Sequence, residues 1–385
     1  MMIYFGEIPQ QIFRDIREIG SGSFSNIFSA TYRKTQTKVA LKAFEKKHGE
    51  EMVIQNEIDI HKSLHHPLIA EFFSDFETDH LKIIILELVE GITMLDKVNK
   101  EERLGVIEAQ FVFVQLMTVF DYLHIEKNIA HRDLKLENIM IDSYGHIRVI
   151  DFGFSSNSTN LMTTLCGSIP YCAPEIFTCE KFSKSADIWS LGIILFALVS
   201  GRLPFYDSNM NNMVASICTS EPEYPQMIPT NCLDILSKLL IKDPENRITI
   251  KDIERHSFVL NCTFSHIDMD ALFVRSEFKS VEDHILSRQN YAFVLNQKIE
   301  NELLKMSHCA GAGKLRSSSN LSRSVLRSLN MPIVVSGRRM SQITQPRHFN
   351  KMRKRAVFNA SNVQNIQNLV EKNSILTTTT DSGSL

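Results

Sequence analysis

Three short runs in the 385-residue chain hold side chains that could do chemistry together. The first is His131-Arg132-Asp133-Leu134-Lys135-Leu136-Glu137-Asn138. Eighteen residues after Asp133 stands Asp151-Phe152-Gly153, and twenty-two after Asp151 begins Ala173-Pro174-Glu175. A carboxylate to accept a hydroxyl proton, an amide, and a second carboxylate for a divalent cation are what phosphoryl transfer from ATP requires. Asp133 alone would be an ordinary turn aspartate. The three runs in this order and spacing argue for a shared site.

Upstream, Gly20-Ser21-Gly22-Ser23-Phe24-Ser25-Asn26-Ile27 spaces its glycines so that backbone N–H groups can come close to phosphates. A plain hairpin turn reads the same way, and Ser25 stands where a third glycine would complete the pattern. Lys42 lies in the run Val39-Ala40-Leu41-Lys42-Ala43, and Glu57 follows fifteen residues later. Each has a bland reading, an exposed strand lysine and a solvated helix glutamate. As a pair across a strand and a helix they could hold the α- and β-phosphates of ATP.

The elements that must position these groups are legible in the periodicity. Residues 12–32 read as a hairpin around Gly20 and Gly22, and residues 37–43 alternate polar and apolar as a half-buried strand does. Val53, Ile54, Ile58, Ile60 and Leu64 fit one helical face over residues 50–64, and residues 83–89 form a short buried strand. After Glu108 the pattern turns helical. Residues 187–200 are apolar nearly all round, which predicts a helix inside a core. Strands first and helices afterwards predict an α+β chain of two lobes with a cleft between them.

Here the sequence resembles the protein kinase family, over residues 12–259. The resemblance extends through Asp187-Ile188-Trp189-Ser190-Leu191-Gly192 and Asp243-Pro244-Glu245-Asn246-Arg247. It implies a strand-rich N-lobe over about residues 12–89, a helical C-lobe over about 90–259, and MgATP in the cleft. By motif position Lys42 would meet the α/β-phosphates, with Glu57 orienting it. Asp133 would be the catalytic base, and Asn138 and Asp151 the Mg²⁺ ligands. Gly20 to Ser25, Ile27 and Ala40 would line the nucleotide, with Leu86 as gatekeeper and Glu87 to Val89 as the hinge that meets adenine. Glu175 and Arg247 would form a buried ion pair.

Lys135 marks the serine/threonine branch and would neutralise charge on the transferred group. The runs around Cys166 and Asp133 are similar to the calmodulin-dependent and AMP-activated kinase group. Thr164 matches an activating phosphothreonine set by an upstream kinase, with Arg132 as counter-charge. A solvent-facing hydroxyl is the plainer reading of Thr164. Glu137 is kept where relatives read basic substrates, but Thr93 and Ala215 stand where two further acids would be, so a preference for arginine before the target should be weakened.

The formal net charge of −2 hides a basic tail of +10 over residues 306–385 and an acidic body of −12. The tail has two aromatics, Phe349 and Phe358, among 18 Ser and Thr, too little apolar surface to offset ordering entropy. It would be disordered. It would then be a solvated extension, fold back on the body, or meet an anionic partner such as lipid or nucleic acid. Residues 260–305 would add short helices, and a small regulatory module could reach about 316. Seven cysteines without a C-x-x-C pair suggest free thiols in a reducing compartment. No apolar run reaches the 20 or so residues of a membrane span, and no secretory signal is visible, so a cytoplasmic or nuclear location without a transmembrane segment is expected.

The function expected is a serine/threonine kinase acting on Ser and Thr hydroxyls of protein substrates. A pseudokinase scaffold and a tail-tethered adaptor are the alternatives. Arg338-Arg339-Met340-Ser341 and Arg316-Ser317-Ser318-Ser319 are the tail sites that such an enzyme would modify in cis.

Overall fold

The computed structural model describes residues 5–22, 25–33, 36–46, 50–142, 145–156, 168–178 and 183–262. Ser23, Phe24, Thr164, Cys166, almost all of the expected extension and the whole basic tail lie outside these residues.

Five antiparallel strands form the first lobe: β1 (Phe13–Ser21), β2 (Ser25–Tyr32), β3 (Thr37–Glu45), β4 (Phe72–Glu77) and β5 (Leu81–Glu87), in the order β1-β2-β3-β5-β4. Their two-residue period sorts side chains onto two faces. Phe13, Phe28, Tyr32, Val39, Leu41, Ile83 and Ile85 fill one face. Ala40, Phe44, Phe72, Ile84 and Leu86 fill the other, against Ile54 and Ile58 of helix α1 (Glu51–Ser63). Lys42 pairs with Ile27 on one side and Ile84 on the other, so its side chain emerges on the α1 face.

The second lobe begins with a short sheet of β6 (Ile92–Thr93), β7 (Ile139–Ile141) and β8 (Ile147–Val149). Its helices are α2 (Met94–Glu101), α3 (Val106–Asp121), α4 (Pro174–Phe177), α5 (Ser185–Ser200), α6 (Met210–Thr219), α7 (Thr230–Leu239), α8 (Ile250–Glu254) and α9 (Ser257–Leu260). Helix α5 is buried on every side between Ala186 and Val199, as its all-round apolar sequence predicts. Helix α3 runs on into one wider π turn, Tyr122–Glu126, which the sequence pattern did not announce. Together they are long and apolar enough to cross a bilayer. Here α3 packs on α5, α8 and α9, with Val112, Phe113, Leu116, Val119 and Phe120 fully buried.

The fold is thus the bilobal α+β arrangement expected. Three features differ from the sequence reading. The strand expected over 83–89 ends at Glu87, and Leu88 and Val89 belong to the link between the lobes. That link then turns at Gly91, where an added Cβ would lie 2.3 Å from the Ile141 carbonyl oxygen. The β6–β8 sheet was also not foreseen, because strands of two or three residues carry too little periodicity to be read. Thr93, which stands where relatives carry an acid, also caps α2, a role the sequence reading did not foresee, its hydroxyl accepting from the Asp96 N–H at 3.0 Å. Among the described residues Cys172, Cys218, Cys232 and Cys262 are free thiols.

Candidate active site

The site is assembled from four pieces of chain that reach the interlobe cleft. Lys42, on β3, donates to a Glu57 carboxylate oxygen and, at 2.8 Å, to Asp151 Oδ1. Lys42 and Glu57 are buried, and the Asp151 side chain is 25% exposed. Burial by itself would lower the lysine's pKa, but the Asp151 and Glu57 carboxylates outweigh it and raise it above its ordinary value. Burial raises Glu57, with Lys42 offsetting part of the effect. Burial also opposes the Asp151 charge, yet Lys42 and the Gly153 N–H hold that carboxyl well below its usual range. At Gly153 space is tight: a Cβ there would lie 3.0 Å from Glu57 Oε2, and the glutamate would have to shift to admit it.

Asp133 sits on the loop after Arg132, whose φ of 69° turns the backbone sharply. That turn is pinned from below. Asp187, in the first turn of α5, accepts from the His131 N–H at 2.8 Å, the Arg132 N–H at 2.9 Å and His124 Nε2 at 2.8 Å. These bonds hold the Asp187 carboxyl low against the opposing effect of burial. The Asp133 carboxylate then meets Lys135 Nζ at 2.6 Å and the Ser168 hydroxyl at 3.3 Å, while Lys135 also donates to Ser168 Oγ at 3.0 Å. Asn138 turns its amide nitrogen to the Asp133 carbonyl at 2.8 Å.

Phe152 connects the two groups. Its buried ring lies between His61 of α1, at 4.9 Å, and His131, at 5.1 Å. The segment after Gly153 closes the base, Ser156 and Ala130 exchanging two backbone hydrogen bonds of 3.0 Å.

At the lobe junction Ala40 pairs with Leu86, and the Glu87 N–H donates to the Glu71 carbonyl. Gly20 and Ser21 close β1, and Ser25 and Ile27 open β2, with the Gly22 N–H donating to the Ser25 carbonyl at 2.7 Å. Lys42, Glu57, Asp151, Asp133, Lys135 and Asn138 therefore gather as two linked sets, and Ile27, the strand partner of Lys42, flanks the first. Ser23, Phe24 and Thr164 lie outside the described residues. Glu175 and Arg247 form the expected buried pair, with bonds of 2.7 and 2.9 Å.

The sequence reading missed Ser168, and it quoted Asp187 without a role. A lone serine seven residues before Glu175 carries no signal by type. Asp187, a carboxylate at the head of a largely apolar, buried helix, was the more readable clue, since a buried charge needs donors.

The protein kinase domain model matches residues 13–259. The chain belongs to the protein kinase family. It is similar to the SNF1-related protein kinase catalytic subunit alpha KIN12 of Arabidopsis thaliana, 31% identical over 306 residues, or 76% of this chain and 62% of that protein. It is 34% identical over 254 residues to the serine/threonine-protein kinase SIK2 of Gallus gallus, covering 64% of this chain and 32% of that one. An Aurora kinase of Dictyostelium discoideum is 33% identical over 246 residues, 63% of this chain and 64% of its own length. The chain thus spans less than two thirds of each relative. The near-equal identities mark a eukaryotic serine/threonine kinase domain broadly related to the calmodulin-dependent and AMP-activated type, without singling out a branch.

Proposed function

We propose that this chain transfers the γ-phosphoryl group of MgATP to serine and threonine hydroxyls of proteins. The observation that carries the reading is the Asp133–Lys135–Ser168 cluster. Its carboxylate lies within 2.6 Å of a lysine, so one residue can accept a hydroxyl proton while its neighbour offsets charge on the moving phosphoryl group. Lys42 has no partner among the described residues for its third N–H, which leaves that donor for a phosphate oxygen.

The donor set fits Mg²⁺. Asp151 is held ionised, its Oδ2 has no bond among the described residues, and Asn138 commits only its amide nitrogen. Magnesium needs few protein oxygens, because phosphates and water complete its shell. When bound, the ion would neutralise the triphosphate. Lys42, oriented by Glu57, would hold the α/β-phosphates, Asp133 would align the acceptor hydroxyl and take its proton, and Lys135 would balance the charge.

Thr164 is read as the switch and Arg132 as its counter-charge, since phosphate adds about −1.5 to −2 charge. The acidic body and Glu137 favour substrates with arginine before the target, the tail's Ser341 and Ser319 among them. A cytoplasmic or nuclear setting belongs to the same reading.

The test is transfer from MgATP to a peptide array by the full chain. Asp133→Asn should cost about 10²–10⁴-fold, and phosphosite mapping should find Thr164 and Ser341 occupied. Wild-type rates in Asp133→Asn would refute the catalytic assignment and favour a scaffold.

A further inference from the structure

On β2 the side chains of Phe28, Ala30 and Tyr32 join the first apolar core, and the two-residue period puts Asn26 on that same face. Asn26 is only 6% exposed. A buried amide weakens a fold unless it is hydrogen-bonded, so its partners decide what it does there. The amide nitrogen donates to Glu18 Oε1 at 3.0 Å, and the amide oxygen accepts from the Ser21 hydroxyl at 3.4 Å. A carboxylate can only accept, which fixes the orientation of the amide.

The two partners stand on either side of an irregularity in β1. Glu18 faces Phe28, Gly20 faces Ile27 and Ser21 faces Asn26, so Ile19 is an extra residue, an exposed bulge directly before Gly20. A bulge twists and re-aims the strand that carries it. Asn26 bonds to one residue before the bulge and to one after it, and so spans it. Beyond the span the Gly22 N–H donates to the Ser25 carbonyl at 2.7 Å.

The register set there reaches the candidate active site. Gly20 pairs with Ile27 and Ile27 with Lys42, in one row across three strands. Ile27 packs on the cleft side with Ala40 and Leu86, the side from which Lys42 emerges. Asn26, next to it along β2, is turned to the other side, so it can act on a bound nucleotide only through the backbone. Slipping β1 by one residue at the bulge would take Gly20 out of that row and put Ile19 or Ser21 in its place.

We propose that Asn26 is a positioning residue, which by bonding Glu18 and Ser21 across the bulge holds the Gly20–Gly22 backbone in row with Lys42 for the phosphates of MgATP. The proposal rests on the kinase reading. The adenine ring, read as meeting Glu87 to Val89, does not depend on this clasp, and that difference makes the proposal testable.

The experiment measures equilibrium binding of MgATP and of adenosine, and melting without ligand, for four full-length proteins: wild type, Asn26→Asp, Glu18→Ala and the double variant Glu18→Gln/Asn26→Asp. Asn26→Asp sets two carboxylates against each other. Glu18→Ala, at an exposed position, removes the acceptor without touching the core. Each single variant should weaken MgATP about threefold to tenfold, the net worth of one hydrogen bond, and leave adenosine binding unchanged. The double variant restores the bond with donor and acceptor exchanged and should recover most of the loss. MgATP binding at wild-type strength in both single variants would overturn the proposal. An equal loss of adenosine would do so too, since it marks a general loosening of the lobe, and so would a double variant no better than Asn26→Asp. If Asn26→Asp melts too low to be measured, Glu18→Ala decides by itself. A wild type that binds MgATP but transfers no phosphate refutes the kinase reading and leaves this test intact, whereas one that binds no MgATP refutes both.

Discussion

Two of the buried ion clusters among the described residues, one in the C-lobe and one between the lobes, are built on different plans. Arg247 directs all five of its N–H groups. Two go to Glu175, at 2.7 and 2.9 Å, and the others reach the carbonyls of Ile241, Ser185 and Lys242 at 2.8 to 3.0 Å. The guanidinium also lies over the Trp189 ring at 5.2 Å. Both side chains are out of solvent, at 0% and 1% exposure. Such a pair has one geometry and anchors the segment that leads out of the active site. Lys42 instead divides a flexible ammonium between a buried glutamate and a quarter-exposed aspartate two residues beyond the end of β8. Planar bidentate pairing fixes a position, whereas a shared point charge can exchange partners. Burial with saturated geometry marks a structural charge, and burial with an open side marks one available to a ligand.

The largest effect that would sharpen this contrast is on stability. Arg247→Ala leaves Glu175 charged and unpaired, and should cost about 3–5 kcal/mol in denaturant unfolding. Any activity lost should return when unfolding is prevented at low temperature. If Arg247→Ala folds as stably as wild type but is dead, the anchor is instead part of the chemistry.

Lys42→Met should do the reverse. Phosphoryl transfer should fall about 10²–10³-fold, as when a preorganised charge is removed from a transition state. The melting temperature should fall less than in Arg247→Ala, because burial raises the Glu57 pKa and so eases uptake of a proton once the lysine is gone. A larger stability loss in Lys42→Met than in Arg247→Ala would erase the distinction drawn here.

The smallest effect is a pH slope. Stability rises with pH wherever the unfolded chain binds more protons. The folded pKa of Asp151 is depressed, so its contribution is complete above the unfolded aspartate value of about 3.9 and is lost as the pH falls below it. Glu57 is raised, and works the other way: stability falls as pH climbs from about 4.3 through its folded value. Acid unfolding below about pH 4 should therefore be shallower in Lys42→Met, where Asp151 loses the cause of its depression. Glu57→Gln should flatten the slope just above that range. Identical acid profiles for wild type and Lys42→Met would mean that Lys42 does not hold Asp151 ionised.

Much of the lobe architecture was readable because its periods are long. Residues 37–43 alternate, residues 50–64 repeat at helical spacing, and residues 187–200 are apolar nearly all round, so three elements declared themselves. The β6–β8 sheet and the π turn at Tyr122–Glu126 did not, being too short or too locally distorted to leave a period. The catalytic motifs were legible because type and spacing coincide in Asp133, Lys135, Asn138 and Asp151. Ser168 was silent, since a lone serine takes its meaning from what stands beside it in space.

By itself the sequence determined which strands and helices would line the cleft, because propensity and hydrophobic period act along the chain, and the residues proposed to hold a nucleotide and a metal were named from motif resemblance. Tertiary structure alone decided that Asp187 would bind the backbone of His131 and Arg132, and that Ser168 would close on Asp133. Each of these joins residues 35 to 56 apart. A buried polar group must find its partner wherever packing brings one, and that requirement acts through space and leaves no period along the chain.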